Sequence, residues 1–210
     1  MPSRRVQRAM NLLDPGFLKF GFRRWVTQLR QARAHYDVVR KNPTLRLEED
    51  VQILSPDRLF LGEDVLIMKG AILDCGGLEW CDYRGRITLG DRCAIGSYSV
   101  LIGAGEIIME NDSGLAFGVH LIAQEGRLLA DGMTTKSQNC QLDFQPIIMR
   151  EGSWATSGAI ILAGSEIGKK SVIGPGAVVK GKVPPNSMVI GNPGRILPLR
   201  QSEDGAYRPW

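Results

Sequence analysis

Apolar residues recur at every sixth position in the last third of the chain, and this spacing constrains the fold more than any other feature. The recurring residues are Met149, Ala155, Ile161, Ile167, Ile173 and Val179. A small residue follows each of the first five by four positions: Ser153, Ala159, Ser165, Ser171 and Ala177. An amphipathic helix has an apolar period of about 3.6 residues, and a half-buried strand a period of two. A period of six instead predicts a repeat architecture, in which three short strands joined by corners close each turn of a coil.

The same frame extends towards the N-terminus less regularly. Its apolar positions there are Leu47, Ile53, Leu61, Ile67, Leu73, Leu89, Ile95, Leu101, Met109, Leu115 and Leu121. Residues 79–88 exceed one six-residue unit by four, so we expect them to bulge outward as a loop. Gly164, Gly168 and Gly174 fit the corners, because glycine adopts backbone angles that a Cβ forbids. Each coil buries its apolar side chains only against the next, which predicts one cooperative core.

Two motifs after the repeats make the pattern more specific. Residues 183–187 read Val-Pro-Pro-Asn-Ser, residues 191–195 read Gly-Asn-Pro-Gly-Arg, and Trp154 lies within the repeats. On these residues the chain resembles the hexapeptide-repeat acyltransferases, in particular their sugar and polysaccharide O-acetyltransferase branch. The resemblance covers residues 44–200. It implies an all-β solenoid, a left-handed parallel β-helix, that assembles as a homotrimer with active sites between subunits.

We expect three regions along the chain. Residues 1–42 form a basic N-terminal helical segment, and residues 43–183 form the left-handed β-helix. Residues 184–210 form a C-terminal tail that packs on the β-helix. Within the β-helix the apolar pattern stops between residues 123 and 145, which predicts a long inserted loop, either functional or disordered. In the resembling family this loop helps to form the active site.

The N-terminal segment carries most of the excess positive charge. Residues 1–41 hold ten Lys or Arg against two Asp, whereas the remaining chain is acidic. Asp14 and Pro15 are typical of the N-cap and first position of a helix. Basic residues such as Arg4, Arg5 and Arg8 alternate with apolar ones, which favours either packing on the β-helix or a neighbouring subunit, or contact with a membrane surface. No nucleic-acid-binding motif follows, so nucleic acid is not expected as a partner.

Two further features concern the compartment. The sequence has no signal-peptide pattern and no apolar run of ~18 residues, so we expect a cytoplasmic protein, located at the inner face of the membrane if the basic segment binds lipid. The four cysteines, Cys75, Cys81, Cys93 and Cys140, form no CxxC pair and are interpreted as reduced thiols. Cys93 occupies a small-residue position of the repeat and is expected to be buried.

The resemblance implies transfer of an acyl group, most simply acetyl, from acyl-coenzyme A to a sugar hydroxyl. A hydroxyl needs a general base, and histidine is the side chain whose ordinary pKa suits neutral pH. Of the two histidines, His35 lies in the basic segment, and His120 is expected to point outward beside the inserted loop. Related enzymes carry the catalytic histidine a few residues later, where this chain has Ala-Gln-Glu-Gly at 123–126. The base is therefore His120 or Glu125, or the site is inactive.

The family also implies where the donor binds. Coenzyme A is expected along the C-terminal coils, with cofactor-binding residues Ser157, Lys180, Arg195 and Arg200. Two histidines in the whole chain do not supply the three ligands of a γ-class carbonic anhydrase, and no metal is expected. The alternative function is a catalytically inactive β-helix that binds a partner or acts as a scaffold.

Overall fold

A computed structural model describes residues 14–77, 79–126, 142–201 and 207–208 of the 210-residue chain. The chain divides into two compact units, residues 1–41 and residues 42–210. Some residues for which the sequence makes predictions lie outside the described part of the chain. They are Arg4, Arg5, Arg8, Cys140, positions 127–141 of the inserted loop, and most of the tail after Gln201.

The first unit contains one described helix, α1, Pro15–Lys41. It begins where the sequence predicts, with Pro15 at the first helical position, and the amide of Leu18 donates to the carbonyl of Asp14 at 2.9 Å. Arg40 and Lys41 fill the last turn, where cations interact favourably with the helix dipole. Pro43 disfavours helical angles at Asn42 and ends the helix. No described helix is long and apolar enough to span a bilayer.

The second unit is a three-sided parallel β-helix. Its first sheet contains β1 Arg46–Leu47, β4 Leu66–Ile67, β7 Ala94–Ile95, β10 Gly114–Leu115, β15 Trp154–Ala155, β18 Val172–Ile173, β21 Ser187–Ile190 and β22 Arg195–Pro198. The second contains β2 Gln52–Leu54, β5 Ile72–Asp74, β8 Val100–Ile102, β11 His120–Ile122, β16 Ile160–Leu162 and β19 Val178–Val179. The third contains β3 Leu59–Leu61, β6 Ile87–Leu89, β9 Ile107–Met109, β14 Ile147–Met149, β17 Glu166–Ile167 and β20 Lys182–Val183. Two antiparallel pairs lie outside these sheets: β12 Gln124–Gly126 with β13 Leu142–Phe144, and β23 Arg200–Gln201 with β24 Tyr207–Arg208.

Each coil contributes one strand to each sheet, and strands of successive coils pair in parallel. Within the three sheets, β22 is the described strand that turns back, pairing antiparallel with β21 over the last coil. We call the turn from the first sheet to the second the first corner, the turn from the second to the third the second corner, and the turn leading to the next coil the third corner. The chain thus has the all-β solenoid predicted from its period of six.

The inward positions of the repeat form the core. The residues at the six predicted apolar positions from Met149 to Val179 are at most 4% exposed, and the small residues between them are equally buried. The hydroxyls of Ser165 and Ser171 donate to backbone carbonyls, Ser171 Oγ to that of Pro184 at 2.7 Å, whereas the buried hydroxyl of Ser153 has no protein partner among the described residues. A small side chain is needed there because it faces inward where the chain turns.

The corners use glycine for two different reasons. Left-handed backbone angles occur directly before each small residue: at Gly152, Gly158, Gly164, Lys170 and Gly176. Gly164 therefore fits the expectation, with φ of 78°. For Gly168 and Gly174 the expected reason was wrong. A Cβ on Gly168 would lie 2.4 Å from the backbone nitrogen of Pro185, and one on Gly174 would lie 2.8 Å from the carbonyl oxygen of Val189, so the neighbouring coil excludes a side chain at both.

The predicted loop at residues 79–88 is shorter than expected. A 3₁₀ turn covers Glu79–Cys81, and the third sheet resumes at Ile87, whose side chain is fully buried. A second 3₁₀ turn, Pro56–Arg58, forms the same corner one coil earlier. The described cysteines, Cys75, Cys81 and Cys93, are buried, as predicted for Cys93. Burial raises the pKa of the Cys75 thiol to about 12, with a smaller contribution from Asp74, so this thiol stays protonated.

We expect neighbouring isoleucines on β14 to differ sharply in their contribution to stability. Ile147 is fully buried, whereas Ile148 points outward and is only half-buried. Ile147→Ala is expected to lower the free energy of unfolding by about 2–5 kcal/mol, because it leaves a cavity in the coil stack. The matched Ile148→Ala is expected to cost roughly 1 kcal/mol or less. Urea denaturation followed by circular dichroism measures both, and equal losses would contradict the inward and outward assignment.

Candidate active site

His120 is the first residue of β11, on the outer surface of the second sheet. Its amide donates to the carbonyl of Ala159 at 2.9 Å, which fixes the strand against the next coil. Val119 and Leu121 on either side are buried, so the imidazole faces out, as the count of six predicts, and is half-buried. The register places Val100 directly below His120 and Ile160 directly above it.

The outer surface around His120 is apolar. The strand register places two rows of outward side chains there, all half-buried. The row of His120 contains Ile72, Val100, Ile160 and Val178, and the second row contains Ile102, Ile122 and Leu162, with Asp74 below Ile102. A titratable side chain in such a row contributes nothing to the core. Its position suits proton transfer on a surface from which a bound ligand excludes water.

The inserted loop leaves the β-helix at the second corner, three residues after His120. Its two ends are held by backbone hydrogen bonds to the adjacent coils, from Ala123 to the carbonyl of Ile102 at 3.0 Å and from Gly164 to the carbonyl of Pro146 at 3.1 Å, and glycines allow a close approach there. A Cβ on Gly105, in the coil below, would lie 2.1 Å from the carbonyl oxygen of Ala123 and 2.6 Å from the amide of Gln145. A Cβ on Gly164, in the coil above, would lie 2.2 Å from Oε1 of Gln145. Both ends of the loop are therefore fixed in position relative to His120.

The first and last residues of the loop form a short ladder rather than an irregular excursion. Gln124 pairs with Phe144, Glu125 with Asp143, and Gly126 with Leu142. The sequence predicted a loop from Ala123 to Gln145, and its ends instead make this two-stranded extension. The position of Glu125 follows from the ladder.

Glu125 and Lys180 form an ion pair that the sequence did not indicate. Lys180 Nζ lies 2.7 and 2.6 Å from the two carboxylate oxygens of Glu125. Lys180 belongs to the second corner two coils above that of the loop, so the pair ties the loop to the C-terminal coils. Both side chains are about half exposed, so solvent and a competing anion can reach them. With both oxygens in contact with the ammonium, Glu125 is a poorer candidate base than His120.

The other predicted cofactor-binding residues lie at the first corner or beyond the last coil. Ser157 is exposed at the first corner, and its carbonyl accepts the amide of Gly176 at 3.1 Å. Arg195 begins β22 and is exposed, and no acidic group among the described residues pairs with it. The preceding turn lies against the second sheet, because Gly194 donates to the carbonyl of Val178. The backbone of Arg200 lies in β23, but its side chain lies outside the described residues.

A separate charged cluster lies on the outer surface of the third sheet. Arg150 bridges Glu110 of the coil below, at 2.7 Å, and Glu166 of the coil above, at 2.6 Å. The hydrogen bond from Arg150 lowers the pKa of Glu166, against a smaller opposing effect of desolvation. The cluster borders a cavity of about 530 Å³ that Lys169 and Lys182 also line. Sequence reasoning missed it because its members are 16 and 40 positions apart.

The part of the chain that the structure describes holds no group of three His, Cys, Asp or Glu residues arranged for a metal ion. His120 has Val100 and Ile160 as strand neighbours, and neither is a metal ligand.

No family model matches the sequence. A Schizosaccharomyces pombe protein described as an acetyltransferase is 40% identical over 70 residues, which is 33% of each chain. WcaF of Escherichia coli, an acetyltransferase assigned to colanic acid biosynthesis, is 28% identical over 116 residues, 55% of this chain and 59% of WcaF. These matches thus span less than two thirds of either relative.

The fold is also shared with solved structures. The N-acyltransferase AntD from Bacillus cereus, in complex with dTDP-4-amino-4,6-dideoxyglucose and coenzyme A, superposes with a TM-score of 0.65 at 20% identity, covering 77% of this chain and 83% of that one. At this identity the likeness shows the fold, the left-handed parallel β-helix that the sequence predicts. The two relatives are described as acetyltransferases, and AntD is described as an N-acyltransferase.

Proposed function

We propose that the protein transfers an acetyl group from acetyl-coenzyme A to a sugar hydroxyl of a polysaccharide, lipopolysaccharide or glycolipid precursor. AntD, which shares the fold, binds coenzyme A and a nucleotide sugar, and WcaF is assigned to polysaccharide biosynthesis. The observation that carries the proposal is His120, a lone imidazole in an outward apolar row beside the fixed ends of the inserted loop.

His120 acts as the general base in this proposal. The imidazole accepts the proton of the sugar hydroxyl while the oxygen attacks the thioester carbonyl carbon. A C–O bond forms, the C–S bond breaks, and the coenzyme leaves as a thiol after taking up the proton from the imidazolium. The products are the acetyl ester and free coenzyme A. The apolar side chains around His120 keep water from competing with the sugar hydroxyl.

The donor lies along the C-terminal coils. Ser157 contributes backbone groups, and Lys180, Arg195 and Arg200 meet the phosphates of the nucleotide end. Lys180 is engaged by Glu125, so a phosphate that binds Lys180 displaces a carboxylate attached to the loop. Donor binding and the position of the loop are coupled in this arrangement.

The main prediction is that His120→Ala lowers kcat by at least ~10²-fold, as expected for loss of a general base, while coenzyme binding persists. Glu125→Gln is the matched variant, because it removes the competing candidate base, and it is expected to keep most of kcat. Release of the coenzyme A thiol, followed with a thiol reagent in the presence of candidate glycans, measures both.

If His120→Ala keeps more than about a tenth of the wild-type kcat, His120 is not the base, and Glu125 or another loop residue must serve instead. If wild-type protein binds acetyl-coenzyme A but releases no thiol with any glycan, the alternative function applies, a β-helix that binds a partner or acts as a scaffold.

We propose a homotrimer as the active assembly. The apolar outer surface of the second sheet, which surrounds His120, suits coverage by a second copy that completes the site. Light scattering is expected to give about three times the 23.1 kDa mass of the chain. A monomer at micromolar concentration that still releases thiol with a glycan acceptor would contradict the shared site.

We also propose that α1 binds the anionic inner face of a membrane. Leu18, Phe22, Trp25, Leu29 and Tyr36 recur with helical spacing on one side, and each is at least half exposed. The helix also contains seven Lys or Arg residues and a single Asp, so it is strongly positively charged. Cations near an anionic surface contribute about 1 kcal/mol each, and the rings insert at the interface.

Binding to vesicles of phosphatidylcholine with phosphatidylserine is therefore expected to fall steeply with added salt, since charges are screened over ~8 Å at physiological ionic strength. Replacing Arg23, Arg24 and Arg30 by Gln is expected to abolish co-sedimentation. The control replaces three exposed arginines of the β-helix, Arg46, Arg84 and Arg86, and should bind like wild type. Equal recovery of the helix variant and wild type would leave only the packing role.

A further inference from the structure

Two aromatic rings project into solvent at the first corner of the β-helix. Tyr98 is 51% exposed and Phe117 is 59% exposed, although rings of this size are usually largely buried. They contact each other edge to face, with centroids 5.5 Å apart and planes at 66°. The two residues belong to successive coils, so together they present one apolar surface that spans two coils.

Both rings are held in place by the coil stack. The amide of Tyr98 donates to the carbonyl of Lys69, and the carbonyl of Phe117 accepts from Gly158, each at 3.0 Å. The ring of Tyr98 lies over Gly70 of the coil below, where a Cβ would come within 2.6 Å of two ring carbons. The two aromatic rings are thus attached to backbone that the neighbouring coils hold in place.

The backbone of Tyr98 adopts the left-handed conformation that recurs at the corners. Its φ is 58°, and glycine fills the same corner position in the coils below and above, Gly70 and Gly118. Arg92 and Lys170 adopt the same conformation at other corners, so it belongs to the repeat.

The aromatic pair lies next to the proposed catalytic base. Phe117 precedes His120 by three positions, which limits their Cα separation to about 10 Å. The counterpart of Phe117 in the next coil is Ser157, about 4.8 Å away along the β-helix. A molecule resting on Phe117 therefore has its neighbouring atoms within reach of the imidazole.

The coils below the pair provide hydrogen-bonding groups with an acidic balance. Lys69 Nζ lies 3.4 Å from Glu49 and 3.8 Å from Asp50, and Glu48 accepts the amide of Lys69 at 2.8 Å. The three carboxylates outnumber the single ammonium of Lys69, so the surface below the aromatic pair is unfavourable for a phosphate. This balance disfavours the phosphates of a nucleotide, whereas an uncharged sugar ring has an apolar C–H face that suits the aromatic pair and hydroxyls that suit the polar groups below it.

We propose that Tyr98 and Phe117 form a stacking subsite for a neutral or amino sugar of an oligosaccharide acceptor. At the first corner, the coil that contains Glu49 and the coil that contains Phe117 are three coil spacings apart along the axis, about 14 Å. This distance exceeds the length of one sugar ring. The acceptor is therefore a glycan chain, whose outer ring stacks at this corner while an adjacent ring presents its hydroxyl to His120. The orientation towards His120 rests on the proposed transferase function; the binding of sugar does not.

The test is direct binding without a donor. Maltohexaose, cellohexaose and chitohexaose, with glucose and N-acetylglucosamine as the single-ring probes, are titrated by calorimetry and saturation-transfer NMR. We expect wild type to bind at least one hexasaccharide more tightly than its single ring. Tyr98→Ala and Phe117→Ala should each weaken that binding at least about fivefold, the order of loss for one stacked ring. Tyr98→Phe should retain it.

Phe60→Ala provides the control, because Phe60 is 52% exposed but lies on the third sheet, away from this corner. If no hexasaccharide binds wild type, or if Tyr98→Ala and Phe60→Ala behave alike, the proposal is wrong. It is also wrong if either aromatic substitution changes the mass in solution, since the pair then belongs to a subunit contact.

These experiments distinguish a failure of the sugar-binding proposal from a failure of the transferase proposal. Loss of oligosaccharide binding in Tyr98→Ala, together with no thiol release from acetyl-coenzyme A by wild type, would support the subsite and reject the transferase. Thiol release with single-ring acceptors that Tyr98→Ala leaves unchanged, without any gain from longer glycans, would support the transferase and reject the subsite.

Discussion

The stacking of inward apolar side chains between successive coils is the interaction on which the whole β-helix depends. A strand of two or three residues buries nothing by itself, and its apolar side chain is covered only by the equivalent residues above and below it. Ile95, Leu115 and Ala155, one above another in the first sheet, are at most 1% exposed. Stability and position are therefore shared along the axis, so a residue at any corner is held by several coils.

This arrangement frees the outward positions for chemistry. Because the core uses only the inward residues, an outward histidine, an exposed tyrosine or a lysine at a corner changes no core packing. His120, Tyr98 and Lys180 occupy such positions in three different coils. The parallel register then sets their spacing along the axis in steps of about 4.8 Å. Residues far apart in sequence are thus brought within a few coils of one another.

The period of six predicted which residues point inward, and with it the coil, the burial of Cys93 and the outward direction of His120. It carries no information about which outward residues meet across coils. The pair of Glu125 and Lys180 joins positions 55 apart, through a loop whose path the repeat does not specify. Similarly, Gly168 and Gly174 stand at corners, as predicted, but the approach of the next coil's backbone is the reason, and a single repeat does not show it. Local patterns thus predicted the fold, while the contacts of the site depend on the three-dimensional stack.

The inserted loop has a consequence for how proteins of this kind diversify. Leu115 and Ala155 are 40 positions apart and still pair in register, so the coil above the insertion begins where it would begin without it. Backbone hydrogen bonds from Ala123 to Ile102 and from Gly164 to Pro146 hold the residues that flank the loop in the coil stack. Residues gained or lost between those ends leave the solenoid unchanged. The loop can therefore change in length and sequence while the coil that carries His120 keeps its position.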